Sequence, residues 1–192
     1  SLGDTVGLVA PASAVSQSQI NEAVHTVRAM GLVPRLGANA AHTDGYLAGT
    51  DAERAADLDA MFASRDVAAI FAIRGGWGGA RILELLDWEQ IKRNPKLLIG
   101  YSDVTSLHLA IAARTGFASV HAPNAGGWWP KESWESLWRL AFTGETPVLG
   151  VTRSASVRDP AVRTLRPGVA RGRLLGGNLT VLSTLMGTPW LP

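Results

Sequence analysis

Short apolar runs recur along the first two-thirds of this chain, each followed by a stretch with helical spacing, and this alternation restricts the fold more than any other feature. Residues 5–10 are rich in valine and stop at Pro11, and residues 32–36 form a second run. Residues 67–73 are apolar almost throughout, as a strand covered on both faces must be. Residues 97–99 and 117–120 extend the series. Helices are expected between them. Ser16 is placed to cap one that Gly31 ends, and Thr50 with Glu53 forms a capping box for a second that buries Ala55, Leu58, Met61 and Phe62. Further helical spacing covers 79–86, 88–92, 104–114, 133–142 and the segment from Leu179 to Met186. Buried strands joined by helices close as right-handed parallel units, so the pattern predicts an α/β protein with a doubly wound, largely parallel sheet.

Two turns of this scaffold carry the candidate chemistry. Residues 96–103 read Lys-Leu-Leu-Ile-Gly-Tyr-Ser-Asp, which places Ser102 between a strand and a helix. A serine there stands clear of the sheet while the helix start offers free N–H groups beside it, the arrangement a nucleophile requires. The second glycine of a Gly-x-Ser-x-Gly elbow is absent, and a helix cap is the plain alternative for Ser102. Asp103 has two compatible uses, a carboxylate cap and a backbone donor. Upstream, Arg74-Gly75-Gly76-Trp77-Gly78-Gly79 makes a second turn. Its glycine spacing fits neither a dinucleotide fingerprint nor a phosphate loop, and no Walker-type lysine follows.

Composition excludes several classes. A formal charge of +2 with no run of three basic residues gives no nucleic-acid face, and the lack of cysteine removes disulfides and thiolate chemistry. No apolar run approaches the ~20 residues of a membrane span. The start of the chain has no signal-peptide pattern. No histidine pair has metal-ligand spacing. His108 falls on the packed side of a helix about 9 Å along its axis from Ser102, too far to serve readily as its base. His121, at a strand end, is better placed to face a pocket. His42 with Asp44 reads as a solvated loop, Trp128 and Trp129 as a rim over substrate, and Trp134 with Trp138 as core or interface.

An ordered series of motifs then resembles one family. It comprises Val9-Ala10-Pro11-Ala12-Ser13, Ala56-Asp57-Leu58 through Met61-Phe62, Ile73-Arg74-Gly75-Gly76-Trp77-Gly78, and Asn94-Pro95-Lys96 through Gly100-Tyr101-Ser102-Asp103-Val104-Thr105. Leu107-His108, His121-Ala122-Pro123 and Leu175-Gly176-Gly177-Asn178-Leu179 complete it. In these residues the chain resembles the LD-carboxypeptidase family of serine peptidases (S66), which includes the microcin C7 immunity-type peptidases. The resemblance implies that Ser102 is the nucleophile and that the backbone N–H groups of Gly76 and Asp103 form the oxyanion hole. It implies a substrate pocket with Arg74, Gly75, Trp77, Tyr101, His121 and Asn124. Trp77 stands where the family most often has tyrosine, and Ala122 where it has glycine.

The resemblance further implies a triad whose glutamate and histidine come from a C-terminal domain, hence beyond residue 192. On that expectation residues 1–160 are the nucleophile-bearing domain and 161–192 the connection to, and start of, a second α/β domain. The segment 1–192 alone would then be nearly inactive. The implied reaction is release of terminal D-alanine from murein tetrapeptides through an acyl-enzyme, in the cytoplasm, by a homodimer without metal or organic cofactor. The alternatives are an immunity-type peptidase cleaving aminoacyl-sulfamoyl nucleotide conjugates, or a homologue that binds cell-wall peptides without cutting them.

Overall fold

The computed structural model describes residues 1–146 and 166–192. Its sheet contains β1 (Thr5–Val9), β2 (Val33–Leu36), β3 (Val67–Ala72), β4 (Leu97–Gly100) and β5 (Val120–His121) in the spatial order β2-β1-β3-β4-β5. Every pairing is parallel. The described helices are α1 (Gln17–Ala29), α2 (Asp51–Ala63), α3 (Trp88–Arg93), α4 (Thr105–Arg114), α5 (Lys131–Ala141) and α6 (Leu179–Thr184).

The apolar runs are explained by the two cores they feed. Ile70 of β3 and Leu98 of β4 face Leu58, Phe62, Ile91, Leu107 and Ile111 from α2, α3 and α4. Their chain neighbours Phe71 and Ile99 face the opposite core, with Ile20 and Val27 of α1 and Leu137 of α5. A strand with helices on both sides needs apolar side chains at consecutive positions, and these strands have them. Ser16 caps α1 and Thr50 forms its capping box with Glu53, as expected, and Gln19 completes a second box at Ser16.

Two elements differ from expectation. The helix expected over 79–86 is only a 3₁₀ turn, Gly79–Ile82. The Gly79 N–H that opens this turn donates to the Asp103 carboxylate at 2.7 Å. The strand expected over 117–120 is reduced to Val120–His121, which pairs with Ile99 and Gly100. Phe117 turns away from the sheet to pack against Phe62, with ring centroids 6.4 Å apart.

The sequence also reads as β structure over 148–157 and as an extended connection over 163–170; the first of these, residues 163–165 of the second and the boundary at 160 lie outside the described residues. Near the C-terminus, Leu185 is buried in the α2–α3–α4 core, joined there by Leu182, Trp190 and Leu191. The Trp190 ring lies 5.5 Å from that of Trp88, and the guanidinium of Arg114 lies 5.3 Å from its centroid. Among the described residues no helix is long and apolar enough to cross a membrane.

Candidate active site

Strand order reverses between β1 and β3, so the loops leaving their carboxyl ends diverge and open a crevice. The turns after β1, β3 and β4 meet there. After β4 the chain passes through Tyr101 in an extended conformation, with φ −143° and ψ −176°. It then turns sharply at Ser102, whose φ of 65° is the only positive value at a non-glycine residue among the described residues. A 3₁₀ turn, Ser102–Val104, leads into α4. Such a left-handed serine is strained, and it holds its side chain out of the sheet at a helix start.

The glycine turn after β3 packs directly on this serine. A Cβ on Gly75 would lie 3.0 Å from Ser102 Cβ and 3.2 Å from Asp103 N, so a side chain there would crowd the serine turn. Gly76 has φ 108°, and a Cβ there would lie 2.9 Å from the Tyr46 hydroxyl oxygen and strike Ser13. Among the described residues, the N–H groups of Gly76 and Asp103 have no acceptor within the protein. One free amide thus follows the serine directly, and the other follows the glycine packed against it.

The Asp103 side chain is buried and accepts from Gly79 N–H, tying the glycine turn to the serine turn. It does not cap α4; this corrects the reading of its carboxylate as a helix cap. Burial pushes its pKa up, against the opposing charge of Arg54. Asn124, expected in the pocket, is buried. Its Oδ1 accepts from Tyr101 N–H at 3.0 Å, which braces the serine turn from within.

Arg74 Nη1 donates to Ala14 O at 3.2 Å, so this arginine anchors the loop after β1. Trp77 is exposed, with the Arg81 guanidinium 5.6 Å from its ring centroid. Tyr101 is exposed at the rim and meets His121 edge-on at 6.4 Å. Partial burial lowers the pKa of His121. His108 is buried, its Nε2 2.9 Å from Gly100 O and its Nδ1 2.7 Å from the Ser119 hydroxyl. Among the described residues, no side chain is hydrogen-bonded to Ser102. Trp128 lies exposed, but Trp129 turns inward, donating its indole N–H to Asn124 O at 3.2 Å and meeting Phe71 edge-on. His42 pairs with Glu53 rather than Asp44.

Sequence reasoning missed Arg54. This α2 residue is fully buried, and its Nη1 donates to Pro11 O at 2.7 Å and to Gly78 O at 2.9 Å, while Nη2 pairs with Asp51. Burial lowers its pKa, opposed by Asp51. It joins the ends of β1 and the glycine turn to α2. The available signal was an arginine four residues before Leu58, on the face of a helix that otherwise buries apolar side chains.

Comparison with known proteins finds relatives over nearly the whole chain. A murein peptide carboxypeptidase of Bacillus subtilis, described as probable, is 36% identical over 188 residues, covering 98% of this chain and 58% of its own. The murein tetrapeptide carboxypeptidase of Pseudomonas aeruginosa is 33% identical, covering 95% of this chain and 60% of its own. The chain thus spans about three-fifths of the length of these relatives. The solved structure of the microcin C7 self-immunity protein MccF with aspartyl sulfamoyl adenosine superposes with a TM-score of 0.82 at 26% identity, covering 100% of this chain and 65% of that one. The same protein has been solved with adenosine monophosphate and with glutamyl sulfamoyl guanosine. These ligands correct the expectation of a murein peptide as the partner: the ligand-bound structural relatives hold nucleoside-containing molecules. The LD-carboxypeptidase N-terminal domain model of peptidase family S66 matches residues 6–122, and the chain belongs to that family.

Proposed function

We propose that this chain carries the nucleophile and oxyanion site of a serine hydrolase acting on an aminoacyl conjugate of a sulfamoyl nucleotide. The observation that carries the reading is the pair of unoccupied amides, Gly76 and Asp103, beside a left-handed Ser102. Ser102 Oγ attacks the aminoacyl carbonyl, and the charge developing on its oxygen is met by the two N–H groups. The C–N bond to the sulfamoyl group breaks, its nitrogen leaving with a proton, and water then hydrolyses the acyl ester on Ser102. The substrate class is supported by the ligands of the MccF structures, aspartyl sulfamoyl adenosine and glutamyl sulfamoyl guanosine.

A serine hydroxyl needs a base to take its proton during attack. His108 does not fill that role, because both its ring nitrogens are engaged elsewhere. On the family resemblance the base comes from the portion of the relatives' length that this chain does not span, and residues 1–192 by themselves are expected to turn over substrate very slowly. The test uses the protein at the full length of its relatives. Given aspartyl sulfamoyl adenosine, it should release aspartate and sulfamoyl adenosine, and Ser102→Ala should release neither. Cleavage of an L,D-tetrapeptide with the nucleotide conjugate left intact would overturn the substrate assignment. Turnover surviving Ser102→Ala would overturn the nucleophile.

A further inference from the structure

We infer that Ser13 is a positioning residue for the oxyanion site, fixing the carbonyl of Gly75 and thereby aiming the N–H of Gly76. The inference rests on the reading of Gly76 N–H as an oxyanion donor. Ser13 lies in the loop after β1 and is buried, at 1% exposure. Its hydroxyl donates to Gly75 O at 2.6 Å, and its backbone N–H points to the same oxygen at 3.3 Å. Both lone pairs of that carbonyl are thus engaged from one side.

The carbonyl of Gly75 and the N–H of Gly76 belong to one peptide unit. A trans peptide is planar, so its C=O and N–H point in opposite directions, and holding one sets the other. Here the hold matters more than usual. Gly75 and Gly76 are consecutive residues without side chains, and rotation of the peptide between them meets little steric resistance. Left alone, the unit would sample orientations in which its N–H turns away from Ser102. Bonds to the carbonyl oxygen also polarise the peptide and strengthen its N–H as a donor.

Ser13 is itself held. The N–H of the next residue, Ala14, donates to Tyr46 O at 2.9 Å, and Ala14 O accepts from Arg74 Nη1 at 3.2 Å. Gly76 lies so close to the Ser13 side chain that a Cβ there would strike it. The loop after β1 therefore acts on the reaction without touching substrate, through one peptide plane.

The test compares Ser13→Ala, Ser13→Thr and wild type at full family length, with aspartyl sulfamoyl adenosine as substrate. Ser13→Ala should lower kcat about 10- to 100-fold, less than loss of a whole oxyanion donor, with KM nearly unchanged because the donor acts on the transition state. Ser13→Thr keeps the hydroxyl and should recover most of the rate. Independently of turnover, the Gly76 amide nitrogen resonance should move upfield in Ser13→Ala, while that of Ala125, bonded to Ala72 O, stays fixed. An unmoved Gly76 resonance in a folded Ser13→Ala protein overturns the inference, as does an unchanged kcat when Ser102→Ala is inactive. If wild type leaves the conjugate intact, the substrate assignment fails, and the resonance still decides whether Ser13 orients the peptide.

Discussion

Gly100 O can only accept, so His108 Nε2 carries the ring proton and Nδ1 accepts from the Ser119 hydroxyl. Burial, with the nearby His121 charge, lowers the pKa of this imidazole from 6.5 to about 4. A base whose folded pKa is depressed stabilises the fold above its unfolded pKa, and that contribution is lost as pH falls from 6.5 toward about 4. At full extent it amounts to roughly 3 kcal/mol. Urea denaturation should therefore show stability falling on acidification through this window. His108→Gln, which keeps a donor for Gly100, should flatten that limb; an unchanged slope would show that other groups cause it. The place of Ser102, at a turn between a strand and a helix, was legible from the apolar run that precedes it. The separate duties of Asp103 and Asn124 were not. Nothing local to either residue reveals a partner more than twenty positions away, Gly79 for one and Tyr101 for the other.

Helix α2 serves the site through a side chain on its buried face. Arg54 crosses from that helix to Pro11 O and Gly78 O. Arg54→Met leaves Pro11 O without a donor in the interior and Gly78 O with only the Arg81 N–H, and should cost about 2–4 kcal/mol in urea unfolding, since hydrogen bonds to a charged group are the stronger kind. Asp51 stays paired with Arg81 in that variant. Arg81→Ala, at an exposed position, should shift the midpoint little, and equal effects would remove the clamp interpretation. Elements governed by local chemistry were readable: both capping boxes form where serine or threonine precedes glutamine or glutamate by three residues. The segment 79–86 was not. Its helical spacing yields only the 3₁₀ turn Gly79–Ile82, whose first N–H is met by the Asp103 carboxylate from a different turn.

At the scale of the molecule, apolar runs without alternation specified parallel strands covered on two faces, and that much follows from the sequence alone. The docking of the C-terminal residues does not. Asn178 N–H donates to Thr105 Oγ1 at 2.9 Å across 73 positions, just past the serine turn. Gly177 has φ 143°, and a Cβ there would lie 2.6 Å from Thr105 Cγ2. Gly177→Ala should loosen residues 178–192 from α4, seen as faster amide exchange in α6 with α1 and β3 unaffected. Acceleration spread evenly through the sheet would mean that this segment is inseparable from the rest of the fold.

The backbone at Ser102 has a further consequence. A left-handed residue with a Cβ costs about 1 kcal/mol, a penalty that glycine escapes. Ser102→Gly should therefore raise the melting temperature of the protein while silencing it. Durability and reactivity pull in opposite directions at this position. In a lineage released from the need to react, a serine here has no conformational reason to persist, and glycine at 102 would be the mark of retirement.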